Sequence, residues 1–461
     1  MNSRNRDMDM CNGPLFSKIL IFALPIMAMN ILELLFNTAD MVVVGRFSGS
    51  RALAAVGATG ALINLIVTLF MGLSVGTSVI TAQDVGAGQT DAVSRSVHTS
   101  IVISIISGLI VMVAGLILCE PLLIFMGTPK DILPLSALYM RIYFIGVPAI
   151  MVYNFCAAIL RAVGDTRRPM YFLITTGIVH VIFNLFFVIV LHMSVGGVAS
   201  ATVISQYLAV LLIMIYLYRY DGAIRFIPRR MLIDGGKLKD IVRIGLPAGL
   251  QGLLFSISNV LIQSAVNSFG STMVAASSAS SNVEGYVGTT MNAYYNAAVT
   301  FTGQNMGAKK YNRIDTVAKV CTALIFATWI VLSGAIMLFG RQLLGIFTSD
   351  PKVVELGMLR MNVMMVAYFT CGTMNVYPGL TRGMGFSILP MLCTLVGACI
   401  MRMVWLATVF AWYPTEIMLF VCYPITWALA GLGQVGCFFY ARNRIRRNAV
   451  PETQPVEACG I

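Results

Sequence analysis

Three acidic side chains lie well inside long apolar stretches of the sequence, at Glu33, Asp40 and Glu284. An ionisable group at the centre of a bilayer costs roughly 2.5–3.5 kcal/mol on insertion scales, whereas each Leu contributes only about 0.3–0.6 kcal/mol. Glu33 and Asp40 are two helical turns apart, about 10 Å, so they share a helix face but are too distant to share one proton. Asn30 and Asn37 fall on the same stripe. We expect this polar edge to face a cavity rather than lipid.

The polar edge of the first helix is a candidate site for a coupling cation. Burial disfavours the charged form of a carboxyl group, and an opened, wet cavity favours it again. Such a group binds and releases protons as the conformation changes. We therefore expect Asp40, together with Glu33 and Asn37, to carry the coupling ion. The alternative is that these carboxylates only bond to neighbouring helices.

A second set of polar residues lies on the fifth and sixth apolar segments. His180 and Asn184 are four residues apart and share a helix face. Thr202 lies near the start of the next segment, ahead of Ser205 and Gln206. Asn184 is the stronger functional candidate. A lone histidine in an apolar helix is more often a hydrogen-bonded core residue, and that alternative stays open for His180 beside a place in the substrate cavity.

The segment from Ser271 to Gln304 is unusually polar for a membrane helix, because it is rich in Ser, Thr, Asn, Gly and Ala. Lipid does not tolerate such a surface. The segment therefore packs closely on other helices, where small residues permit close approach, or lines a water-filled path. We expect Glu284 to pair with Arg402 on the eleventh helix; the alternative is separate hydration of the two. The predicted substrate cavity comprises Asn30, His180, Gln251, Glu284, Asn292, Tyr294 and Arg402.

The composition excludes a soluble globular protein. Of 461 residues, 58% are hydrophobic and 11% charged, against roughly 45–50% and about 25% in soluble domains. A membrane helix takes about 20 apolar residues, which leaves room for about twelve helices with their loops. The net charge of +12 does not indicate nucleic-acid binding, because the Lys and Arg residues lie in short loops between apolar runs rather than on one domain face.

Other chemistry is not indicated by the sequence. The ten cysteines form no CxxC pair and no Cys/His cluster of metal spacing, so we expect no metal site and no cofactor. The first apolar run is too long for a signal peptide and is followed by no small-residue cleavage site, so we expect it to remain as the first helix. We find no HExxH motif, nucleophile elbow or pair of intramembrane histidines, and an enzyme is not expected.

Apolar segments bounded by Gly, Pro and charge predict an all-α polytopic membrane protein with twelve transmembrane helices. The predicted helices cover residues 17–44, 53–80, 94–118, 135–160, 168–192, 196–219, 240–268, 275–303, 316–340, 356–380, 387–411 and 414–441. The predicted domains are an N-terminal lobe (1–219), a basic inter-lobe linker (220–239), a C-terminal lobe (240–441) and a polar tail (442–461). Because the side that keeps most of the 31 Lys and Arg residues is cytoplasmic, both termini, the linker and the tail are expected there.

The two halves of the chain are copies of each other. At an offset of about 221 residues, 82–87 matches 303–308, and Arg161, Gly164 and Pro169 match Arg382, Gly385 and Pro390. Because each copy contains six helices, both enter the membrane in the same direction, and the symmetry axis runs along the membrane normal. Transporters use this arrangement, with the binding site between the lobes near the midplane.

Several stretches of the sequence resemble the multidrug and toxic compound extrusion (MATE) family. They are residues 24–26, 36–40, 44–46, 52–57, 160–165, 197–202 and 303–308. The resemblance covers about residues 13–441. It implies two pseudo-symmetric six-helix lobes that form a V. It also implies an antiporter that exports amphiphilic, often cationic compounds in exchange for protons or sodium.

The resemblance also assigns roles by position. Asp40 matches the helix-one aspartate that members use for coupling, with Asn184 and Thr202 as its companions in the first lobe. Many members carry an aspartate four residues after that asparagine, where this chain has Val188. Sodium prefers several oxygen ligands. We therefore expect H⁺ as the coupling ion, with Na⁺ at Asp40 as the alternative if Glu33 supplies a ligand.

The expected function is a secondary antiporter that exports amphiphilic organic cations or drugs by alternating access. Its expected setting is the bacterial inner membrane, with small molecules and membrane lipid as partners. A monomer suffices because the repeat supplies both lobes. The alternative is a flippase or exporter of a lipid-linked or amphiphilic anionic metabolite, which a basic cavity would favour and which Arg402 leaves open. The combination of Glu284 and Arg402 resembles a bacterial branch related to the DNA-damage-inducible members.

Overall fold

The computed structural model describes residues 8–348 and 350–448, which fold into long helices joined by short connections. The first half contains six helices: α1 (Leu15–Phe47), α2 (Ser50–Gly86), α3 (Thr90–Phe125), α4 (Leu133–Ala162), α5 (Arg167–Leu185) and α6 (Ser194–Arg219). α5 continues through a wider, π-helical turn at Phe186–Val190. These six helices form the first lobe.

The second half repeats the pattern with a broken fourth span. Its helices are α7 (Gly235–Asn267), α8 (Ser271–Gly307), α9 (Tyr311–Gly345), α10 (Pro351–Val366), α11 (Tyr368–Gly383), α12 (Ile388–Phe410) and α13 (Glu416–Asn448). α10 and α11 meet at an angle of 52° and together form one span. α12 contains two π-helical turns, at Leu395–Ile400 and Leu406–Phe410. These helices form the second lobe.

Most of these helices are suited to a bilayer by their own composition. Within the described residues, ten helices are long and apolar enough to cross a membrane, and the bent pair α10 and α11 is an eleventh. α8 has 37 residues but is too polar to face lipid on all sides, and it packs against α1, α2, α9, α10 and α11. The predicted all-α membrane protein with twelve spans in two lobes is confirmed.

Most helices extend a few residues beyond their predicted bounds, and two of these extensions enter the predicted linker and the predicted tail. α7 begins earlier than residue 240 because Asp234 caps it: its carboxylate accepts a hydrogen bond from the Lys237 backbone N–H at 3.0 Å, which lowers the pKa of Asp234. α13 continues past residue 441 to Asn448, where Arg442 and Arg446 both pair with Asp315 of α9. The rest of the predicted tail, residues 449–461, lies outside the described residues.

The internal repeat is visible in the backbone as well as in the sequence. Gly49 and Gly270 occupy matching places, each directly before a long helix, with φ angles of 85° and 90°. Gly164 and Gly385 follow α4 and α11 with φ angles of 89° and 92°. This left-handed region favours glycine because a β-carbon would clash with the backbone. The two lobes therefore use glycine to make the same turns.

The lobes meet along glycine-lined faces of α2, α7 and α8. A β-carbon placed on Gly72 would lie 2.2 Å from the backbone nitrogen of Gly249, and one on Gly86 would lie 2.0 Å from the carbonyl oxygen of Gln304. Toward the other end of α2, a β-carbon on Gly57 would meet nothing within 4 Å. We call the end where α2, α4, α8 and α11 finish the closed end, because helices from the two lobes touch there.

α1 passes from one lobe to the other. Its first half packs into the core of the second lobe, where the rings of Phe22 and Phe301 meet edge-on at 5.6 Å between centroids. Its second half contributes Val43 and Val44 to the core of the first lobe. Pro25 lies within this helix. α1 therefore contributes to the cores of both lobes.

Candidate functional site

Asp40 lies at the centre of a buried polar cluster formed by α1, α5 and α6. Only 8% of the residue is exposed. Asn184 Nδ2 donates a hydrogen bond to Asp40 Oδ1 at 2.5 Å, and His180 Nε2 lies 3.3 Å from the same oxygen. Thr202 Oγ1 lies 3.3 Å from His180 Nε2. We call these four residues the Asp40 cluster.

The local helix structure explains why these side chains converge. His180 and Asn184 are one turn apart on α5, so they project from the same face. Asn184 comes directly before the π-helical turn, in which Val188 is buried among apolar side chains. Position 188 thus contributes packing rather than an oxygen ligand.

The Asp40 cluster contains a buried acceptor that is unused. The Oδ1 atom of Asn184 is buried and has no hydrogen-bond partner among the described residues. Thr202 Oγ1 already donates to the carbonyl of Val198 at 3.0 Å. A buried acceptor without a partner is uncommon, because it forgoes a hydrogen bond to water. It leaves the cluster able to accept one more hydrogen bond, or to coordinate a small cation, beside Asp40.

A cavity of about 440 Å³ lies between the lobes beside α1. It is lined from both lobes, and six of its lining residues carry side-chain amides. The amide residues are Asn30, Asn154, Gln251, Asn292, Asn296 and Asn375. Tyr153, Phe255 and Tyr295 add aromatic surface. Such a mixture of apolar faces and a few polar groups is typical of small-molecule sites.

Three charged side chains line this cavity. Arg161 lies in the last turn of α4 and Arg382 in the last turn of α11, so each lobe supplies one guanidinium group. Glu33 is the only acidic residue among the described lining residues. The cavity therefore carries more positive than negative groups.

Several predicted cavity residues do line it, and several do not. Asn30, Glu33, Gln251 and Asn292 face the cavity, and Asn30 also donates to the carbonyl of Thr289 on α8 at 2.9 Å. Of the other residues predicted for the cavity, His180, Glu284, Tyr294 and Arg402 are not among its lining residues, and neither are the predicted coupling residues Asn37 and Asp40. Asn37 is exposed on α1, and His180 belongs to the Asp40 cluster.

Tyr294 is a correction to the predicted cavity. Its hydroxyl lies 2.8 Å from Thr328 Oγ1 of α9, and the side chain is buried. Its neighbour Tyr295 faces the cavity instead. Successive residues of an α-helix point about 100° apart, so one position along α8 decides between the core and the cavity.

The predicted pair of Glu284 with Arg402 is wrong. Glu284 is held by Arg360 of α10, whose Nε and Nη2 donate to its two carboxylate oxygens at 3.1 and 3.0 Å. Arg360 Nη1 also donates to Ser277. The partner differs because α10, rather than α12, packs against this stretch of α8. Glu284 is therefore a buried, doubly hydrogen-bonded residue of the second lobe, outside the cavity.

In the part of the chain that the structure describes, the buried Arg402 has no acidic partner. It is 1% exposed, and its Nη1 donates to Asn259 Oδ1 at 2.7 Å. Its guanidinium carbon lies over the rings of Phe255 and Tyr423, at 4.8 and 4.9 Å from their centroids. Within the described residues, its Nη2 has no hydrogen-bond partner. Phe255 thus stands between Arg402 and the cavity.

The sequence reasoning missed Arg161 and Arg382 as cavity residues. Both were noted only as matching positions of the repeat, and both lie in the last turn of a helix, where basic residues are common because of the helix dipole. A usable signal was their recurrence at the same place in both lobes, since the site of a transporter with such repeats lies between them.

Comparison with known proteins identifies the family. A family model described as MatE matches the chain twice, over residues 25–186 and 247–408. The "Probable multidrug resistance protein YpnP" of Bacillus subtilis is 27% identical over 406 residues, which cover 88% of this chain and 90% of that protein. The "FAD transporter" of Shewanella oneidensis is 24% identical over 416 residues, again 88% of this chain and 90% of that protein.

Solved structures share the fold. One is described as "Reverse polarity of binding pocket suggests different function of a MOP superfamily transporter from Pyrococcus furiosus". It is 24% identical, has a TM-score of 0.87, and the match covers 95% of this chain and 97% of that chain. Because the family model matches both halves, and the relatives are named as transporters and multidrug resistance proteins, this chain belongs to the MATE family and is a multi-span membrane transporter rather than an enzyme.

Proposed function

We propose that this protein is a proton-coupled antiporter that exports amphiphilic small molecules by alternating access between its lobes. The observation that carries the proposal is the Asp40 cluster, a buried carboxyl held by neutral or weakly basic groups on the helix that also lines the inter-lobe cavity. Such a carboxyl takes up a proton where water reaches it and releases the proton when its surroundings change.

A proton fits the cluster better than sodium. Asp40 is held by an amide nitrogen and lies near a ring nitrogen, and these atoms offer no lone-pair oxygen to a metal ion. Val188 contributes no ligand, and Glu33 lies two turns away on α1. A sodium ion prefers several oxygen ligands. Sodium coupling remains the alternative candidate, with Asn184 Oδ1 and Asp40 as its first ligands.

α1 connects the cluster to the cavity and to the second lobe. The same helix carries Asp40 in the first lobe, Glu33 and Asn30 at the cavity wall, and Phe22 in the core of the second lobe. Asn30 is bonded to the carbonyl of Thr289 on α8. Protonation of Asp40 weakens the hydrogen bond that it accepts from Asn184. The resulting shift of α1 changes the cavity wall and the contact between the lobes.

Two classes of substrate are candidates. The resemblance to the family suggests organic cations, and Arg161 and Arg382 in the cavity lining favour an amphiphilic anion.

We place the protein in the bacterial inner membrane with both termini and the closed end cytoplasmic, because the Lys and Arg residues cluster on that side. The cavity then opens outward in this structure. A monomer suffices, since both lobes lie in one chain.

The test is dye transport by purified protein in liposomes. Rhodamine 6G, a cation, and carboxyfluorescein, an anion, share a ring system, and each is followed under an imposed proton or sodium gradient. Asp40→Asn is compared with Asp131→Asn, an exposed loop carboxylate that serves as the matched control. We expect proton-driven transport that falls at least about tenfold in Asp40→Asn and is unchanged in the control. Proton-driven transport at the normal rate in Asp40→Asn would contradict the proposal.

A further inference from the structure

Arg161 and Arg382 occupy the same position in the two copies of the repeat, and both line the cavity. Arg161 lies in the last turn of α4 and Arg382 in the last turn of α11. Basic residues are favoured at helix C-termini by the helix dipole. That preference explains the location along each helix, but it does not require both side chains to point into one cavity.

Among the described residues, neither guanidinium group has an acidic hydrogen-bond partner. Arg382 Nη1 donates to the Tyr295 hydroxyl at 2.8 Å, and its Nη2 donates to Gln251 Oε1 at 2.6 Å. Both acceptors are neutral, so they orient the guanidinium without cancelling its charge. Within the described residues, nothing accepts a hydrogen bond from Arg161, and the buried Nε atoms of both arginines have no partner.

Glu33 compensates only part of this charge. It is within Coulombic range of Arg161, but the described residues include no ion pair between them within 4 Å. Two guanidinium groups face one carboxylate, so the cavity is positive even when Glu33 is ionised. Desolvated charges without partners are costly. A bound anion removes that cost, whereas an organic cation would add to it.

We propose that Arg161 and Arg382 form a binding site for the phosphate or carboxylate group of an amphiphilic organic anion. Guanidinium groups suit these anions because they donate paired hydrogen bonds in one plane. Phe255 and Tyr153 supply apolar surface for the rest of the molecule. The inference rests on the proposed transport function and specifies its substrate class.

The same arginines are adjacent to the contacts that close the cavity. Ala162, next to Arg161, accepts a hydrogen bond from Gln304 of the second lobe at 2.7 Å. Gly383, next to Arg382, accepts one from Gln83 of the first lobe at 2.8 Å. An anion that pulls the two guanidinium groups therefore acts on the backbone carbonyls that hold the closed end together.

The test is equilibrium binding to the full-length protein in nanodiscs of zwitterionic lipid, without any ion gradient. Flavin mononucleotide and riboflavin share a fluorescent ring system and differ by one phosphate. Dihexanoyl phosphatidate and dihexanoyl glycerol form the same comparison for a lipid head group. We expect at least one phosphate compound to bind about 10- to 100-fold more tightly than its neutral counterpart. The compound that does so identifies whether the natural source of the phosphate is soluble or lipidic.

Arg161→Gln and Arg382→Gln are each expected to remove most of that preference while leaving binding of the neutral compound unchanged. Arg141→Gln, whose side chain pairs with Glu120 outside the cavity, is the matched control. Arg161→Lys keeps the charge and is expected to keep part of the preference. If the glutamine variants do not fold, the comparison of phosphate and neutral compounds on the unmodified protein still tests whether the cavity prefers an anion.

Equal affinity for the phosphate and neutral compounds in both pairs would overturn the inference. So would a preference for phosphate that survives in both well-folded glutamine variants. Because binding is measured without a gradient, loss of phosphate preference is distinguishable from failure of proton coupling. A protein that binds the phosphate compound but transports no substrate would contradict the proposed function and retain the anion site.

Discussion

Gln83 and Gln304 occupy matching positions in the two lobes and make reciprocal hydrogen bonds across the closed end. Gln83 Nε2 donates to the carbonyl of Gly383, and Gln304 Nε2 donates to the carbonyl of Ala162, at 2.8 and 2.7 Å. The acceptors are themselves a matching pair of the repeat. The same hydrogen bond is therefore made twice between the lobes, once from each lobe to the other. We call this pair of hydrogen bonds the glutamine latch.

Removing one bond of the glutamine latch is expected to favour opening of the closed end. Cys11 is a native reporter, because it is half-buried and its Sγ lies 3.9 Å from Gln304 Oε1. In Gln83→Ala, alkylation of Cys11 should rise about 2- to 10-fold, since a hydrogen bond contributes about 0.5–1.5 kcal/mol. The rate is measured with N-ethylmaleimide and peptide mass spectrometry.

The pH dependence of the same reaction gives a second reading of opening. Burial raises the pKa of the Cys11 thiol, and the thiolate is the reactive form. Opening removes the burial, so in Gln83→Ala the alkylation profile should shift to lower pH. Gln206 on α6 makes no hydrogen bond across the lobes among the described residues. The control variant Gln206→Ala should therefore leave both the alkylation rate and its pH profile unchanged. An unchanged profile in Gln83→Ala would count against the latch.

The glycines of the closed end are expected to tolerate no added methyl group. A β-carbon on Gly86 would lie 2.0 Å from the Gln304 carbonyl oxygen, and backbone must move to accept it. Gly86→Ala should destabilise the closed arrangement by about 1–3 kcal/mol, as overpacking does. Gly57→Ala on the same helix has open space and should be neutral or stabilising, because Ala favours helix over Gly. The melting temperatures of Gly86→Ala and Gly57→Ala in detergent are compared. Equal stability of the two variants would contradict this account of the interface.

Asn184 should affect proton coupling more than Thr202 does. Asn184 donates directly to Asp40, whereas Thr202 reaches it only through His180. Asn184→Leu removes a hydrogen bond to an ionisable group, worth about 1.5–3 kcal/mol, and should lower proton-driven transport by roughly 10- to 100-fold. Thr202→Val should lower it less than about tenfold. Transport rates across external pH distinguish a changed coupling site from a general loss of rate, and the opposite order would refute the assignment.

The Glu284 and Arg360 pair should behave as one unit in the second lobe. Breaking a buried ion pair from one side costs about 3–5 kcal/mol because a charge is left unpaired. Glu284→Gln and Arg360→Gln should each destabilise the protein, and the double variant should be less destabilised than the sum of the two. The same cycle with Arg402→Gln should be close to additive, since Arg402 bonds to Asn259 instead. Strong coupling to Arg402 would show that the pairing is misassigned.

The sequence by itself determined the class of the protein and part of its coupling site. The apolar runs and the repeat were sufficient for twelve spans in two lobes, because each span must satisfy its own backbone and bury its own apolar surface. Asp40 was identifiable because a carboxyl inside such a run is costly unless it has a use or a partner. Asn184 and Thr202 were noted as polar residues on apolar segments, the family resemblance gave them their role beside Asp40, and the structure brings both to the Asp40 cluster.

Only the tertiary structure decided which polar groups meet. Glu284 pairs with Arg360 because α10 packs on α8, and no local pattern distinguishes that neighbour from α12. Arg161 and Arg382 look like ordinary basic helix ends until the lobes close around them. The physical reason is that membrane-span patterning depends on each residue's own transfer energy, whereas pairing and cavity lining depend on helix rotation and crossing, which are set by contacts far apart in the chain.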